Sequence, residues 1–341
     1  MDLIKRWKTC GGELRRYTHA SSSTGTQMTF AVFLPPTPSP GSSGAAGSAA
    51  GRAPVLYWLS GLTCTDENFS QKAGAAFPAA AGCGLAIVLP DTSPRGADVG
   101  KIEGAAASWD FGVGAGFYVD ATQAPWSANW RMQTYVTKEL PALLRAHLGG
   151  ELDVDRCSLS GHSMGGFGAL QLALRHPGAY RSVSAFAPIA HPSACPWGKK
   201  AFTNYLGADE AAWAAYDPTE LVKGYTGPPL HIKIIQGDAD EFFTAGQLRP
   251  DEFCAAAKAA GVPVDYTLAE GYDHSYFLCV AKKNGKALCL LCTCTHTKGW
   301  AGGSLSPRAR ARMRYKYCPL LTKVPLPHTP HDLRSIKKQQ H

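Results

Sequence analysis

The run Gly161-His162-Ser163-Met164-Gly165-Gly166 limits what this 341-residue chain can fold into more than any other stretch. Arg156 to Ser160 before it reads as a short strand. Gly165 to Arg175 after it reads as a helix, with Phe167, Leu170 and Leu174 as apolar positions and Pro177 as a stop. Gly-x-Ser-x-Gly between a strand and a helix is a sharp, strained turn that lifts a serine hydroxyl above the edge of a sheet. Glycines flank the serine because two backbones pass too closely there to admit a β-carbon. The backbone N–H of Met164 lies next to the raised hydroxyl.

A serine becomes a nucleophile only beside a base, and the chain order expected with this turn is serine, acid, histidine. Leu230 to Gln236 reads as a strand closed by Gly237-Asp238-Ala239-Asp240. Val264 to Glu270 reads as the next strand, closed by Gly271-Tyr272-Asp273-His274-Ser275. In open sheets of this class the reacting groups lie beyond the carboxyl ends of strands, so both turns reach the edge that carries Ser163. His274 is the expected base. Asp240 is the expected acid, with Asp238 and Asp273 as rivals; the residues after Gly237 give Asp240 room to reach back. His162 is read as a packing residue whose side chain points away from the Ser163 hydroxyl. His231 is read as structural, and His147, His176 and His191 as surface or helix-end residues.

An oxyanion needs two N–H donors. Pro54 to Leu59 is an apolar strand-former run followed by Ser60-Gly61-Leu62-Thr63-Cys64, where a fold of this kind places its loop donor. The N–H groups of Leu62 and Met164 are the expected pair. Gln27 to Leu34 and Leu85 to Pro90 read as further strands, Trp130 to Leu148 as an amphipathic helix despite Pro141, and Asp251 to Ala260 as another helix. Alternation of strands and helices predicts an α/β-hydrolase fold, a mostly parallel sheet with helices on both faces.

Seven blocks then carry a resemblance in one order. They are Tyr57 to Thr65, Pro90-Asp91-Thr92-Ser93-Pro94-Arg95-Gly96, Ser108-Trp109-Asp110-Phe111-Gly112, Gly114 to Thr122, Gly161 to Gly166, Pro196 to Phe202, and Gly271 to Tyr276. Together they resemble the S-formylglutathione hydrolase (esterase D) family from about Cys10 to Phe277. The resemblance implies a cytoplasmic thioesterase that releases glutathione and formate in formaldehyde detoxification, with side activity on small carboxylic esters. It puts the triad on Ser163, Asp240 and His274, and it makes Cys64 a thiol beside the site, sensitive to thiol reagents without being the nucleophile. Thioester hydrolysis by an activated serine needs no metal or cofactor. Glutathione carries two carboxylates, so Lys199 and Lys200 are the candidate binding cations, with Trp109 and Trp197 as cleft walls. Two other classes share the motif set: a serine esterase or acyltransferase with another acyl group, as in the mycolyltransferases, and a product impaired by its C-terminus.

Two segments stand apart from the expected domain of residues 1–277. Thr37 to Ala53 is rich in Gly, Ser, Pro and Ala and reads as a flexible insertion. Residues 278–341 hold 13 of the 34 lysines and arginines but one of the 26 acidic residues, a net of +12 that leaves the remainder at −4. That tail reads as a basic, disordered run in place of the family's terminal helix. Arg308, Arg310, Arg312 and Arg314 have phosphate-contact chemistry, but no nucleic-acid partner is assigned. Cys289, Cys292, Cys294 and His296 are zinc-type ligands without a usual zinc spacing. The 11 cysteines are an odd number, Met1 to Lys8 lacks the apolar core of a secretory signal, and no uncharged run spans a membrane. Reduced thiols in the cytoplasm are the expectation, with no membrane partner and with a homodimer left open.

Overall fold

Nine strands form one sheet in a computed structural model that describes residues 1–37 and 51–280, with the short paired segments Lys282–Lys283 and Lys286–Ala287. The described residues all fall within one compact unit. The strands are β1 (Asp2–Thr9), β2 (Gly12–Ala20), β3 (Gln27–Leu34), β4 (Ala53–Leu59), β5 (Ala86–Pro90), β6 (Leu152–His162), β7 (Ser182–Phe186), β8 (His231–Gly237) and β9 (Val264–Ala269). Their order is β1-β2-β3-β5-β4-β6-β7-β8-β9. β1, β2 and β3 pair antiparallel, and β3 runs antiparallel to β5. From β5 to β9 every pair is parallel. With helices on both faces, this is the α/β-hydrolase architecture.

Helices cover both faces of the central parallel strands, so those strands are buried along nearly their whole length rather than alternating, whereas β9, at the edge, is partly exposed. β5 and β7 are buried at every residue, and β4 at every residue after Ala53. Trp58 packs on Phe69 at 4.6 Å between ring centroids, and Phe33 stacks on Phe77 at 4.7 Å. Burying a large apolar side chain contributes about 1.5–3 kcal/mol, so this layer anchors the strand ends that carry the site. Serines inside β6 and β7 satisfy each other: Ser182 Oγ donates to Ser158 Oγ at 3.0 Å, and Ser160 Oγ donates to the Ser184 carbonyl at 3.1 Å.

Three departures from the expected layout have physical causes. The hairpin β1–β2 has no apolar alternation, because β1 is an exposed edge strand whose Leu3 and Ile4 are about half exposed. Its two-residue turn is Cys10-Gly11, both at positive φ (50° and 76°), as a twist-matched hairpin requires. The helix expected over Trp130 to Leu148 is divided. A π turn at Tyr135–Glu139 precedes Leu140–Leu148, which carries Pro141 in its first turn. The wider turn accommodates a residue that lacks an N–H and crowds the preceding carbonyls.

The third departure concerns the end of the domain. Phe277–Val280 forms a short helix, and Leu278 and Cys279 are fully buried. The boundary expected after Phe277 therefore moves outward, since these two side chains belong to the core. Apart from Lys282–Lys283 and Lys286–Ala287, the rest of the expected tail, including the cysteine–histidine cluster at 289–296 and the arginine run at 308–314, lies outside the described residues, as do residues 38–50 of the expected insertion. Among the described residues no helix is long and apolar enough to cross a membrane.

Candidate active site

Ser163 sits between the end of β6 and the helix Met164–Arg175, at φ 58° and ψ −120°. Positive φ in a residue with a side chain is strained, and the surroundings must hold it there. They do so by close approach. A β-carbon on Gly161 would lie 2.1 Å from the Gly165 carbonyl oxygen, and one on Gly165 would lie 1.9 Å from that of Leu59. The Ser163 N–H donates to the Phe186 carbonyl on β7 at 2.9 Å, and the Phe167 N–H donates to the Ser163 carbonyl at 3.0 Å. The helix is buried from Met164 through Leu174, so the turn cannot relax outward. Met164 supplies the first N–H of that helix, one of the donors a helix leaves without an internal acceptor.

Asp240 follows β8 and is fully buried. Its Oδ1 accepts from the N–H groups of Phe242 and Phe243 at 2.9 and 3.2 Å, capping the short helix Glu241–Thr244. Its Oδ2 accepts from His274 Nδ1 at 2.6 Å and from Gln236 Nε2 at 3.0 Å. Burial works against the carboxylate charge, but the hydrogen bond from His274, then those from Gln236 and Phe242, outweigh it and hold this carboxyl below its usual range. The rivals are used elsewhere. Asp238 Oδ1 accepts from the Gly271 N–H at 2.7 Å and Asp273 Oδ1 from the Ser275 N–H at 3.0 Å, both at exposed turns.

His274 is fixed on three sides. Asp240 holds Nδ1, the Phe242 ring meets it edge-on at 4.8 Å, and the His162 ring packs 4.6 Å away. Nε2, on the opposite edge of the ring, is left for the cleft that His274 shares with Ser163. His162 does pack, but on the base itself and not away from the site. Burial, then the neighbouring His274, pushes its pKa well down, so it stays neutral. Gln236 escaped the sequence reading. Its signal is a polar residue near the end of an apolar run, and it is fully buried.

The loop Ser60 to Asp66 runs beside the nucleophile, where a β-carbon on Gly61 would lie 3.1 Å from Ser163 Cβ. It is tied from behind at Ser60, Thr63, Cys64 and Asp66. Tyr118 Oη donates to the Ser60 carbonyl at 2.8 Å, and the Thr63 N–H donates to the Gly114 carbonyl at 2.9 Å. Thr92 Oγ1 and Arg95 Nη2 both donate to the Cys64 carbonyl, at 2.5 and 2.8 Å. Arg95 Nε is held by Asp91 at 2.9 Å, and Arg16 Nε pairs with buried Asp66 at 2.6 Å. The blocks Pro90 to Gly96 and Gly114 to Thr122 are thus the outer frame of the Leu62 loop. Burial outweighs Arg95 and raises the pKa of Asp91; burial likewise raises that of the Cys64 thiol, whose Sγ lies 3.6 Å from Tyr276 Oη.

A cleft of about 600 Å³ brings these parts together: Gly61, Leu62, Thr63, Cys64, His162, Ser163, His274, Ser275, Tyr276 and Phe277 line it, with Trp109, Trp197, Phe242, Gln71 and Lys72. Trp109 and Trp197 meet edge-on at 5.4 Å, and Trp197 packs on Phe242 at 4.8 Å. Lys199 and Lys200 are not among these lining residues. Lys200 Nζ is committed to Asp110 at 2.5 Å and Ser108 at 2.7 Å. The cation at the cleft is Lys72, which no motif singled out. Among the described residues no group of three His, Cys, Asp or Glu side chains is placed to hold a metal ion.

The Esterase family model matches residues 21–284. An S-formylglutathione hydrolase of Rattus norvegicus is 52% identical over 270 residues, covering 79% of this chain and 90% of that protein. One of Arabidopsis thaliana is 51% identical over 270 residues, covering 79% and 89%. Among solved structures, an S-formylglutathione hydrolase from Agrobacterium tumefaciens superposes with a TM-score of 0.72 at 42% identity, covering 81% of this chain and 94% of that one.

Proposed function

The chain belongs to the S-formylglutathione hydrolase family of esterases, and from that premise we propose that Ser163, His274 and Asp240 hydrolyse S-formylglutathione to glutathione and formate. His274 Nε2 takes the Ser163 proton as Oγ attacks the formyl carbon. The N–H groups of Leu62 and Met164 hold the tetrahedral oxyanion. Collapse breaks the C–S bond, and the His274 imidazolium protonates the departing glutathione thiolate. Water, deprotonated by the same nitrogen, then cleaves the formyl ester on Ser163 and releases formate. Asp240 keeps the Nδ1 proton in place and stabilises the imidazolium. A formyl group is the smallest acyl group, and the side activity on small esters follows from the same chemistry.

The observation that carries this reading is the 2.6 Å contact between Asp240 Oδ2 and His274 Nδ1, opening onto the same cleft as the strained Ser163. Among the described residues, the thiols of Cys10, Cys64, Cys83, Cys157, Cys195 and Cys254 form no disulfide, which supports a reducing, cytoplasmic setting, where glutathione is abundant. The experiment is turnover of S-formylglutathione by wild-type and Ser163→Ala protein. The variant should retain its fold and lose activity; a folded Ser163→Ala protein with near-wild-type turnover would overturn the mechanism.

A further inference from the structure

The cleft is lined by one cationic side chain and no carboxylate among the described residues. That cation is Lys72, at the end of the short helix Asn68–Lys72, with Nζ 5.7 Å from the centre of the Tyr276 ring. The ring beneath it is fixed. Its hydroxyl lies 3.6 Å from Cys64 Sγ, and its face packs 4.9 Å from His162, the residue before the nucleophile. A lysine over an aromatic face is drawn to one side of its range. Lys72 is thereby stationed one aromatic ring away from the reacting groups.

S-formylglutathione seated with its carbonyl at Ser163 must run its tripeptide out through this cleft. Its glycine carboxylate lies one residue beyond the cysteine, and an extended residue spans about 3.3–3.6 Å. Its γ-glutamyl carboxylate lies on the other arm. A carboxylate that leaves water needs a counter-charge, and Lys200, the alternative on the neighbouring helix, is already paired with Asp110. We propose that Lys72 is a specificity-determining residue that binds a carboxylate of the glutathione moiety and so favours glutathione thioesters over neutral esters at this site. The inference rests on the substrate proposed above.

The test compares kcat/KM for S-formylglutathione with kcat/KM for the neutral ester p-nitrophenyl acetate, in full-length wild type, Lys72→Met, Lys72→Arg and Lys72→Glu. The ratio of the two constants should fall roughly 3–10-fold in Lys72→Met, mostly through KM, as the loss of one charge-assisted contact at a partly wet site implies. It should recover in Lys72→Arg and fall further in Lys72→Glu. A ratio unchanged in Lys72→Met, or a fall that Arg does not restore, overturns the inference while leaving the substrate reading intact. A wild-type chain that cleaves the ester but not S-formylglutathione overturns the substrate reading and this inference with it.

Discussion

Replacing Asp240 by Asn changes one atom, and the neighbours of that atom set the cost. Oδ1 can still accept from the Phe242 and Phe243 N–H groups, so the helix cap survives. The new NH₂ then faces two donors, His274 Nδ1–H and Gln236 Nε2. Turning the amide over would restore those contacts but strip the cap, at about 0.5–2 kcal/mol. His274 has a cheaper escape: it moves its proton to Nε2 and accepts from the amide at Nδ1. Gln236 can do likewise by turning its own amide, because its Oε1 is buried without a partner among the described residues, though it then loses the Gly237 carbonyl. The stability loss should be about 1–3 kcal/mol. The rate loss should be far larger, since a His274 protonated at Nε2 cannot accept from Ser163; the same exchange in a serine protease lowers kcat by about 10⁴, or about 5.4 kcal/mol at 1.36 per decade. Asp238→Asn keeps an acceptor for the Gly271 N–H and should stay within about 0.5 kcal/mol in stability with little loss of rate. Steady-state kinetics on S-formylglutathione with thermal melts of both variants decide the matter. A larger loss in Asp238→Asn, or Asp240→Asn within tenfold of wild type, would remove Asp240 from the triad.

Arg95→Met removes a donor from the Cys64 carbonyl and leaves buried Asp91 without its cation, so it should destabilise by about 1.5–3 kcal/mol. By loosening the Leu62 loop it should also lower kcat about tenfold, short of the 10²–10³ for losing an oxyanion donor outright; a full rate with a lowered melting temperature would confine Arg95 to stability. Cys64→Ser should remain active and resist inactivation by a thiol-alkylating reagent. Because burial raises the Cys64 pKa, the wild type's inactivation rate should keep climbing as pH rises past 8 into the range where the thiolate forms, and a folded but inactive Cys64→Ser protein would mean that the thiol takes part in the chemistry. Truncation after Lys283 keeps buried Leu278 and Cys279 and almost all of the family match, so turnover and melting temperature should be unchanged; unfolding on truncation would contradict this.

The parts of the fold legible in the sequence are those whose rule is local and steric. The Ser163 turn shows itself because Gly161 and Gly165 have backbone carbonyls where a β-carbon would be. The fully buried strands β4 and β5 show themselves as unbroken apolar runs. The hairpin β1–β2 is hidden because an edge strand needs no apolar face and because its turn carries Cys10 where Asn or Asp is usual. β7 is hidden because its polar Ser182 finds its partner, Ser158, on β6, across the sheet and not along the chain. At the site, Asp240 and His274 are legible from strand ends. Gln236 shows only as a polar residue near the end of an apolar strand, four residues before Asp240, while the His162 contact to His274 and the place of Lys72 depend on how separate loops meet, which no spacing in the chain encodes. Lys199 and Lys200 drew notice by adjacency, yet Lys200 answers to Asp110.

The mechanism stands on an acyl-enzyme at Ser163, and the plainest experiment is to find it. Full-length protein is mixed with S-formylglutathione, quenched in acid within the first turnover, digested and mapped by mass spectrometry while glutathione release is monitored in parallel. A formyl ester should appear on the peptide carrying Ser163, form with the first equivalent of glutathione and disappear as formate is released, with neither product in Ser163→Ala. A formyl group on Cys64, or glutathione release that persists in Ser163→Ala, would contradict it.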